Sequence, residues 1–321
     1  MSDPDIAVLR ATIHGMPAEE YVDILRERLP EKDIALARTP EEERELLASA
    51  PVATGLTLDP SVLPAAENLR LFACAYAGTG HLPMDDLREH GVAVTNGAGV
   101  HGPNIGEHVL GFLLSFARGF HTAWRRKERR EWRSFPTREL EGSTVSVFGL
   151  GALGQAIVER LEPFDVTTLG VRYSPEKGGP TDEVHGLEDA GAVHDVLARS
   201  DYVVVAAPLT DLTRGLVDDE AFRTMKPDAV LVNVGRGPIV DTDALVSALR
   251  GNAVRGAALD VTDPEPLPED HPLWGFDNVL ITPHNAGHTP KYWERLADIL
   301  VENVRHVDET GRYEDLRNQV Q

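Results

Sequence analysis

The feature of this sequence that most constrains its fold is a glycine-rich turn, GLGALG at residues 149–154. The apolar run before it, residues 145–148, is long enough for a buried strand. Residues 155–161 then predict a helix, and residues 166–171 predict a second strand. Glycines also mark ordinary turns, but a G-x-G-x-x-G with this strand and helix around it is typical of dinucleotide-binding α/β folds.

Each glycine of this turn has a physical role in such a fold. Gly149 allows the tight turn, Gly151 lets the backbone approach a pyrophosphate, and Gly154 lets the helix pack close to the strand. The N-terminal amides of the helix then face the phosphates. The turn therefore predicts where a dinucleotide binds.

The end of the second strand carries a residue that bears on cofactor choice. The position 18 residues after Gly154 (172 − 154) is Arg172. A carboxylate at this place binds the ribose 2′-hydroxyl, whereas an arginine suits a 2′-phosphate. The alternative is an ordinary exposed arginine. We predict that NADP(H) is preferred and that NAD(H) is possible.

Length and composition indicate a two-domain globular protein. The chain has 321 residues, of which 42% are hydrophobic. No apolar run approaches the roughly 20 residues of a membrane span, and the N-terminus lacks a basic segment followed by an apolar one. Cys74 is the only cysteine, so no internal disulfide can form. These features predict a cytoplasmic location and no membrane partner.

The charge of the chain is strongly negative. Asp and Glu number 52 against 31 Lys and Arg, which gives a net charge of −21, and only five of the basic residues are lysine. A polyanionic surface repels phosphates, so we expect no nucleic-acid partner. Excess acid with scarce lysine resembles proteins of salt-accumulating organisms and suggests a halophilic archaeon. The alternative is a mesophilic enzyme at the acidic end of its range.

The order of apolar segments predicts that one domain is inserted into another. Residues 1–100 and 287–321 are assigned to a substrate domain, and residues 101–286 to a dinucleotide-binding domain. Residues 103–130 predict one long helix, and residues 243–250 a helix capped by Thr242.

The end of the predicted long helix is basic, which is unusual in so acidic a chain. Its cations are Arg125, Arg126, Lys127, Arg129 and Arg130. Cations at a helix C-terminus complement the helix dipole. The alternative is a contact with an acidic surface of a second subunit.

Three polar side chains follow predicted strands of the second domain or lie in nearby loops: Arg236, Glu265 and His284. The carboxyl ends of parallel strands face the ligand crevice of an open sheet. An arginine offers a planar fork for a carboxylate, and a histidine oriented by a carboxylate can exchange a proton near neutral pH. Beside a nicotinamide this set suits reduction of a 2-keto acid. Taken singly, each residue could instead be structural.

Three segments resemble the D-isomer-specific 2-hydroxyacid dehydrogenase family. They are NVGRG at residues 233–237, LDV at 259–261 with EPLP at 265–268, and TPHNAG at 282–287. The resemblance covers most of the chain, is very specific in the second half and is weaker before Leu69. Arg172 departs from the common family pattern.

The resemblance implies a fold class, a set of roles and an oligomeric state. The fold class is α/β, with two Rossmann- or flavodoxin-like domains, parallel sheets and an inserted cofactor domain. His284 is implied as the proton donor paired with Glu265, and Arg236 as the group that binds the substrate carboxylate and carbonyl. The backbone amides of Ala77 and Gly78 are implied to hold the same carboxylate. Homodimers are the usual state of the family.

The resemblance also implies a set of cofactor contacts. The amides of Ala152 and Leu153 would meet the pyrophosphate, and Asp260 would meet the nicotinamide carboxamide. The full set comprises Gly149, Gly151, Ala152, Leu153, Gly154, Arg172, Pro208, Thr213, Val234, Gly235, Asp260, His284 and Gly287.

Other reactive residues give weaker signals. His81 follows the Ala77–Gly78 loop, and His101 precedes the long helix, where it could face the substrate or be an ordinary loop histidine. Tyr76 or a tryptophan of a second subunit could also shape the pocket. The histidines lack metal-binding spacing, and Cys74 lies in an apolar strand that predicts an inert core residue.

Three functions remain after these arguments. The leading hypothesis is an NADP(H)-preferring 2-ketoacid reductase acting on a small acid. A second is phosphoglycerate dehydrogenase or glyoxylate/hydroxypyruvate reductase activity. The third, from a different class, is a non-catalytic cofactor sensor like the C-terminal-binding-protein corepressors.

Overall fold

A computed structural model describes residues 3–321 of the chain. These residues form two compact units. One unit comprises the described residues up to His101 together with His288–Gln321, and the other comprises Gly102–Gly287. The roles of substrate domain and dinucleotide-binding domain assigned from the sequence stay predictions.

The first unit opens the chain and contains a five-stranded parallel sheet. Its elements up to His101 are β1 Ile6–Val8, β2 Thr12–Ile13, β3 Met16–Pro17, α1 Ala18–Arg28, β4 Ile34–Leu36, α2 Pro40–Ser49, β5 Val52–Gly55, β6 Leu71–Cys74, α3 Met84–Glu89 and β7 Ala93–Thr95. The sheet order is β4-β1-β5-β6-β7, with all pairs parallel. This is the strand order of flavodoxin-like folds.

The second unit contains a seven-stranded parallel sheet. Its elements are α4 Gly102–Ala117, α5 Phe120–Glu128, β8 Thr144–Phe148, α6 Ala152–Leu161, β9 Thr167–Arg172, β10 Glu183–Gly186, α7 Ala190–Arg199, β11 Tyr202–Val205, α8 Asp219–Thr224, β12 Val230–Asn233, α9 Thr242–Arg250, β13 Gly256–Leu259 and β14 Val279–Ile281. The sheet order is β10-β9-β8-β11-β12-β13-β14. The order reverses between β8 and β11, which is the switch point where open α/β sheets bind ligands.

Helices cover both faces of this sheet because its central strands are apolar on both sides. In β11, Val203 and Val205 pack into one core cluster, with residues of α7, α8 and α9. Val204 packs into the opposite cluster, with residues of α4 and α6. Parallel strands buried on both faces are typical of doubly wound folds, so the predicted α/β class is confirmed.

The last helix, α10 Tyr292–Thr310, belongs to the first unit. Its residues Trp293, Leu296 and Leu300 pack with α1 in one core cluster, and the rings of Trp293 and Tyr21 stack with centroids 4.9 Å apart.

Two local predictions are wrong. The helix expected over residues 103–130 is divided into α4 and α5 at Gly119, which has φ 67°. A side chain at Gly119 would also meet Phe135 at 2.6 Å, so the chain turns here instead of continuing the helix. The cap of α9 is Asp241, which accepts a hydrogen bond from the Ala244 amide at 2.9 Å, and not Thr242.

Candidate active site

The glycine-rich turn has the geometry that its spacing predicts. Gly149 has φ 104°, and a Cβ there would lie 2.6 Å from the backbone of Ala207. A Cβ at Gly154 would lie 1.9 Å from the carbonyl oxygen of Gly149. A Cβ at Gly151 would meet nothing within 4 Å, and α6, whose N-cap is Gly151, has no side-chain cap. The first-turn amides of α6 therefore border open space, as a pyrophosphate site needs.

A cavity of about 620 Å³ opens beside this turn. Residues from the ends of β8, β9 and β11 line it, among them Gly149, Gly151, Arg172, Ser174, Lys177, Pro208 and Thr213. Asp211 is the only carboxylate in its lining. The volume, the glycine turn and the uncapped helix together fit a dinucleotide.

Arg172 is the last residue of β9, as predicted, and it is half-buried. Its Nη1 donates a hydrogen bond to the carbonyl oxygen of Gly178 at 2.5 Å. Lys177 lies in the short 3₁₀ turn Pro175–Lys177 just before that carbonyl. The contact fastens the loop that carries Lys177 to the end of β9.

Thr213 stabilises the loop that follows β11. Its hydroxyl donates to the carbonyl oxygen of Pro208 at 2.7 Å and accepts from the Thr210 amide at 2.8 Å. Only 2% of Thr213 is exposed. The side chain therefore shapes this wall of the cavity from within the loop.

The turn that carries Arg236 is fixed by Asn233, a role that the sequence analysis missed. Asn233 is buried; its Nδ2 donates to the Arg236 carbonyl and its Oδ1 accepts from the Gly235 amide, both at 3.1 Å. The Arg236 side chain is exposed and donates to the carbonyl oxygen of Gly235 at 2.7 Å. The guanidinium keeps further N–H groups for an anionic ligand.

His284 and Glu265 form a close pair, with Nδ1 of the imidazole 2.5 Å from Oε1 of the carboxylate. Both side chains are accessible, at 51% and 41% exposed. Because a carboxylate only accepts, Nδ1 carries a proton toward Glu265, and Nε2 remains to exchange a proton with a ligand. The structure thus brings together two of the three residues selected from the sequence.

Arg236 belongs to the same edge of the sheet as this pair. Asn233, Leu259 and Ile281 lie in register at the ends of β12, β13 and β14. Arg236 follows the first of these neighbouring strands, and His284 follows the third. Carboxyl ends of parallel strands share one edge, so the second unit presents both residues there.

Asp260 organises the loop that carries His284. Only 3% of Asp260 is exposed, and its carboxylate accepts from the Thr282 hydroxyl at 2.5 Å and from the Asn285 and Ala286 amides at 2.8 and 3.0 Å. These donors compensate the buried charge.

The contact of Asp260 with a nicotinamide stays a prediction, as do those of Val234 and Gly287.

The Ala77–Gly78 loop lies in the first unit and is held through its carbonyl groups. The Gly97 amide donates to the carbonyl of Tyr76 at 2.9 Å, and Nδ2 of Asn96 donates to that of Ala77 at 2.7 Å. Ala77 and Gly78 themselves are exposed. The binding of a carboxylate by their amides stays a prediction.

The remaining candidates have local contacts. The ring centroid of His101 lies 5.7 Å from that of His14 and 5.2 Å from that of Tyr292, within the first unit. Nε2 of His81 lies 2.7 Å from the Leu56 carbonyl oxygen. Cys74 is buried, as predicted, and burial raises the pKa of its thiol.

Residues 3–321 contain neither a metal-binding cluster nor a membrane-spanning helix. No group of histidine, cysteine or carboxylate side chains there is arranged to hold a metal ion. No helix in this part of the chain combines the length and the apolarity needed to cross a membrane.

The fold and the glycine turn define a dinucleotide-binding α/β protein. Residues 110–286 match a family described as "D-isomer specific 2-hydroxyacid dehydrogenase, NAD binding domain". The chain belongs to the D-isomer specific 2-hydroxyacid dehydrogenases, which are oxidoreductases, and this confirms the family resemblance noted in the sequence.

Individual relatives and solved structures agree with this placement. The chain is 36% identical to a glyoxylate reductase of Thermofilum pendens, over 77% of this chain and 74% of the relative. It is 32% identical to a D-3-phosphoglycerate dehydrogenase of Methanocaldococcus jannaschii, over 90% of this chain and 55% of the relative. A D-isomer specific 2-hydroxyacid dehydrogenase of Xanthobacter autotrophicus Py2, solved with NADPH and MES, superposes with a TM-score of 0.79 at 29% identity, covering 99% of this chain and 98% of that one.

Proposed function

We propose that the protein reduces a small 2-keto acid with NADPH as the preferred hydride source, NADH being tolerated, and that His284 donates the proton. The observation that carries this proposal is the 2.5 Å contact between His284 and Glu265. An accessible imidazole held by a carboxylate is the arrangement of a general acid–base pair.

Residues of the second unit have separate roles in this reaction. A nicotinamide bound in this unit would supply the hydride for the keto carbon. Nε2 of the His284 imidazolium gives its proton to the keto oxygen, while Glu265 holds the ring through Nδ1 and stabilises its positive charge. Arg236 binds the carboxylate of the substrate and polarises the keto group.

We assign residues 1–100 and 287–321, which match the first unit to within one residue at each boundary, to substrate binding, and residues 101–286 to dinucleotide binding. The amides of Ala77 and Gly78, both exposed residues, are proposed to bind the substrate carboxylate. Their loop is braced through its carbonyl groups, which supports this role because it keeps the amides in one orientation.

The cofactor preference rests on Arg172 and Lys177. They line the cavity with two cations against one carboxylate, Asp211. The NADPH complex of the Xanthobacter autotrophicus Py2 protein, which has 29% identity to this chain, supports the same choice.

Turnover measurements test the function directly. In the presence of a small 2-keto acid the purified protein should oxidise NADPH, and it should oxidise NADH more slowly. Activity confined to glyoxylate and hydroxypyruvate would favour the glyoxylate/hydroxypyruvate reductase alternative. Oxidation of D-3-phosphoglycerate as the main activity would instead identify a phosphoglycerate dehydrogenase. Cofactor binding without turnover of any acid would favour the corepressor-like alternative.

We further propose a cytoplasmic homodimer from a halophilic archaeon. The net charge of −21 and the scarcity of lysine support the salt adaptation. Exposed aromatic residues on α5 and the loop after it support the dimer, because such residues mark interfaces. Phe120, Trp124 and Trp132 are 46%, 55% and 104% exposed, and the ring centroids of Phe120 and Trp124 lie 6.4 Å apart. Arg125 of α5 already pairs with Asp277 of the same chain at 2.5 Å. The exposed aromatic residues therefore support a dimer interface better than the basic residues do.

One experiment with varied salt tests both the halophilic origin and the homodimer. The melting temperature should rise from low to multimolar KCl, because the screening length falls from about 10 Å at 0.1 M to about 3 Å at 1 M and self-repulsion of the acidic surface weakens. Light scattering at high KCl should give the mass of a dimer. A melting temperature that is flat or falls with salt contradicts the halophilic origin, and a monomer mass at every KCl concentration contradicts the dimer.

A further inference from the structure

Helix α4 contacts the loop that carries His284 at two points. Nδ2 of Asn104 donates a hydrogen bond to the Ala286 carbonyl oxygen at 2.6 Å. Nε2 of His108 lies 3.1 Å from the hydroxyl oxygen of Thr282. All of these residues belong to the second unit.

The two contacting residues of α4 are spaced so that they reach the loop on either side of His284. Asn104 and His108 are four residues apart on α4 and therefore lie on one face, about 6 Å apart along the helix axis. Their partners, Thr282 and Ala286, stand two residues before and two residues after His284. The helix thus holds the loop on both sides of the imidazole.

The direction of the His108 hydrogen bond follows from its neighbours. The Thr282 hydroxyl has one proton, which it donates to the Asp260 carboxylate at 2.5 Å because a carboxylate only accepts. The hydroxyl must then accept from His108, so Nε2 of His108 carries a proton. Burial lowers the pKa of His108, and the charge of Asp260, 3.8 Å away, opposes this shift. The neutral Nε2–H tautomer satisfies the contact.

The conformation of His284 needs this support. Its φ is 52°, in the left-handed region that few non-glycine residues adopt, although histidine adopts it more often than most. Such strain persists only where surrounding contacts over-determine the backbone. The Asp260 carbonyl, which accepts from the His284 amide at 2.8 Å, gives one constraint, and α4 gives two more.

We propose that Asn104 and His108 are positioning residues that hold the His284 imidazole where it protonates the substrate. This inference rests on the proposed role of His284 as the proton donor. Because neither side chain is assigned a contact with substrate, their loss should lower kcat and leave KM nearly unchanged.

Two substitutions at His108 and one at Asn104 test the proposal. His108→Leu and Asn104→Leu remove the donors and should each lower kcat by about 10-fold, within the 10²-fold that a misplacement of about 1 Å can cost. His108→Gln keeps an N–H donor at a similar reach and should restore kcat to within about 2-fold of the wild type. The Kd for NADPH and the melting temperature are measured on each variant.

His194→Leu provides a matched control. Nδ1 of His194 lies 2.9 Å from the hydroxyl of Thr224, so the substitution removes a comparable imidazole–threonine contact on α7. It should leave kcat unchanged. A loss in this control equal to that of His108→Leu would mean that the effect is general destabilisation, and it would overturn the proposal.

A double-mutant cycle shows whether the pair acts through His284. In a His284→Ala background, His108→Leu should cause no further loss of kcat. A further loss of the same size as in the wild type overturns the positioning role, and so does an unchanged kcat in both leucine variants. If His284→Ala alone keeps full turnover, the proposed function itself fails, and the single variant shows that separately.

Discussion

Replacing His284 by alanine should lower kcat for keto acid reduction by about 10²–10⁴-fold, the usual contribution of a positioned general acid. The variant keeps the glycine turn and the cavity that bind the dinucleotide, so its Kd for NADPH should stay close to that of the wild type. Steady-state kinetics and a fluorescence titration with NADPH measure the two quantities. Unchanged turnover would show that His284 is not the proton donor.

The chain offers a matched control for this substitution. His185 also pairs with a carboxylate, with Nε2 3.2 Å from Oε2 of Glu183, but it lies on the edge strand β10. His185→Ala should leave kcat unchanged. Glu265→Gln keeps an acceptor for Nδ1 but removes the charge that stabilises the imidazolium, so its loss should be smaller than that of His284→Ala.

The strand, turn and helix around the glycine-rich turn could be predicted because their constraints are local. Gly149 and Gly154 are required by backbone approaches within a few residues of the turn, so their spacing carries the information. The helix nevertheless begins at Ala152, three residues before the predicted start at 155, because the motif itself supplies its first turn.

Other elements carry weaker local signals. Strand β10 is an edge strand of half-buried residues that include Glu183 and His185, and its composition shows no apolar alternation to predict it. The break at Gly119 depends on the backbone angle of one residue and on Phe135, which comes 16 residues later (135 − 119). The periodicity of the apolar residues in α4 cannot show either fact.

The candidate site likewise has residues that the sequence could predict and contacts that it could not. His284, Glu265 and Arg236 could be selected because each follows a strand or a recognisable segment. The contacts that hold the His284 loop could not, because Asn104 and Ala286 are 182 residues apart in sequence, and His108 and Thr282 are 174 apart. Only the folded sheet brings α4 beside the end of β14.

Cofactor choice should depend on Arg172 more than on any other residue of the cavity. An arginine that makes charge-assisted hydrogen bonds to a 2′-phosphate contributes about 1.5–3 kcal/mol. This corresponds to roughly 10–150-fold in affinity, since about 1.4 kcal/mol is a factor of ten. High salt would screen the exposed part of this attraction, so the preference is best measured over a range of KCl concentrations.

Arg172→Asp should reverse the preference from NADPH to NADH, because it removes the attraction and adds repulsion between the carboxylate and the 2′-phosphate. Values of kcat/KM for both cofactors measure the reversal. Arg223→Asp is the matched control, since it makes the same change of charge on an exposed residue of α8 and should leave the preference intact. Lys177→Ala tests the second cation and should weaken NADPH use by a smaller factor.

A second substitution at Arg172 separates its charge from its structural contact. The side chain also donates to the Gly178 carbonyl, so Arg172→Asp could act by loosening the loop that carries Lys177. Arg172→Gln removes the charge and keeps an N–H group, on a side chain that is shorter by about two bonds. If the charge decides, the glutamine variant loses most of its kcat/KM with NADPH and keeps its kcat/KM with NADH. Equal losses with both cofactors would instead assign Arg172 to the loop, and a wild type that favours NADH would exclude it as the determinant.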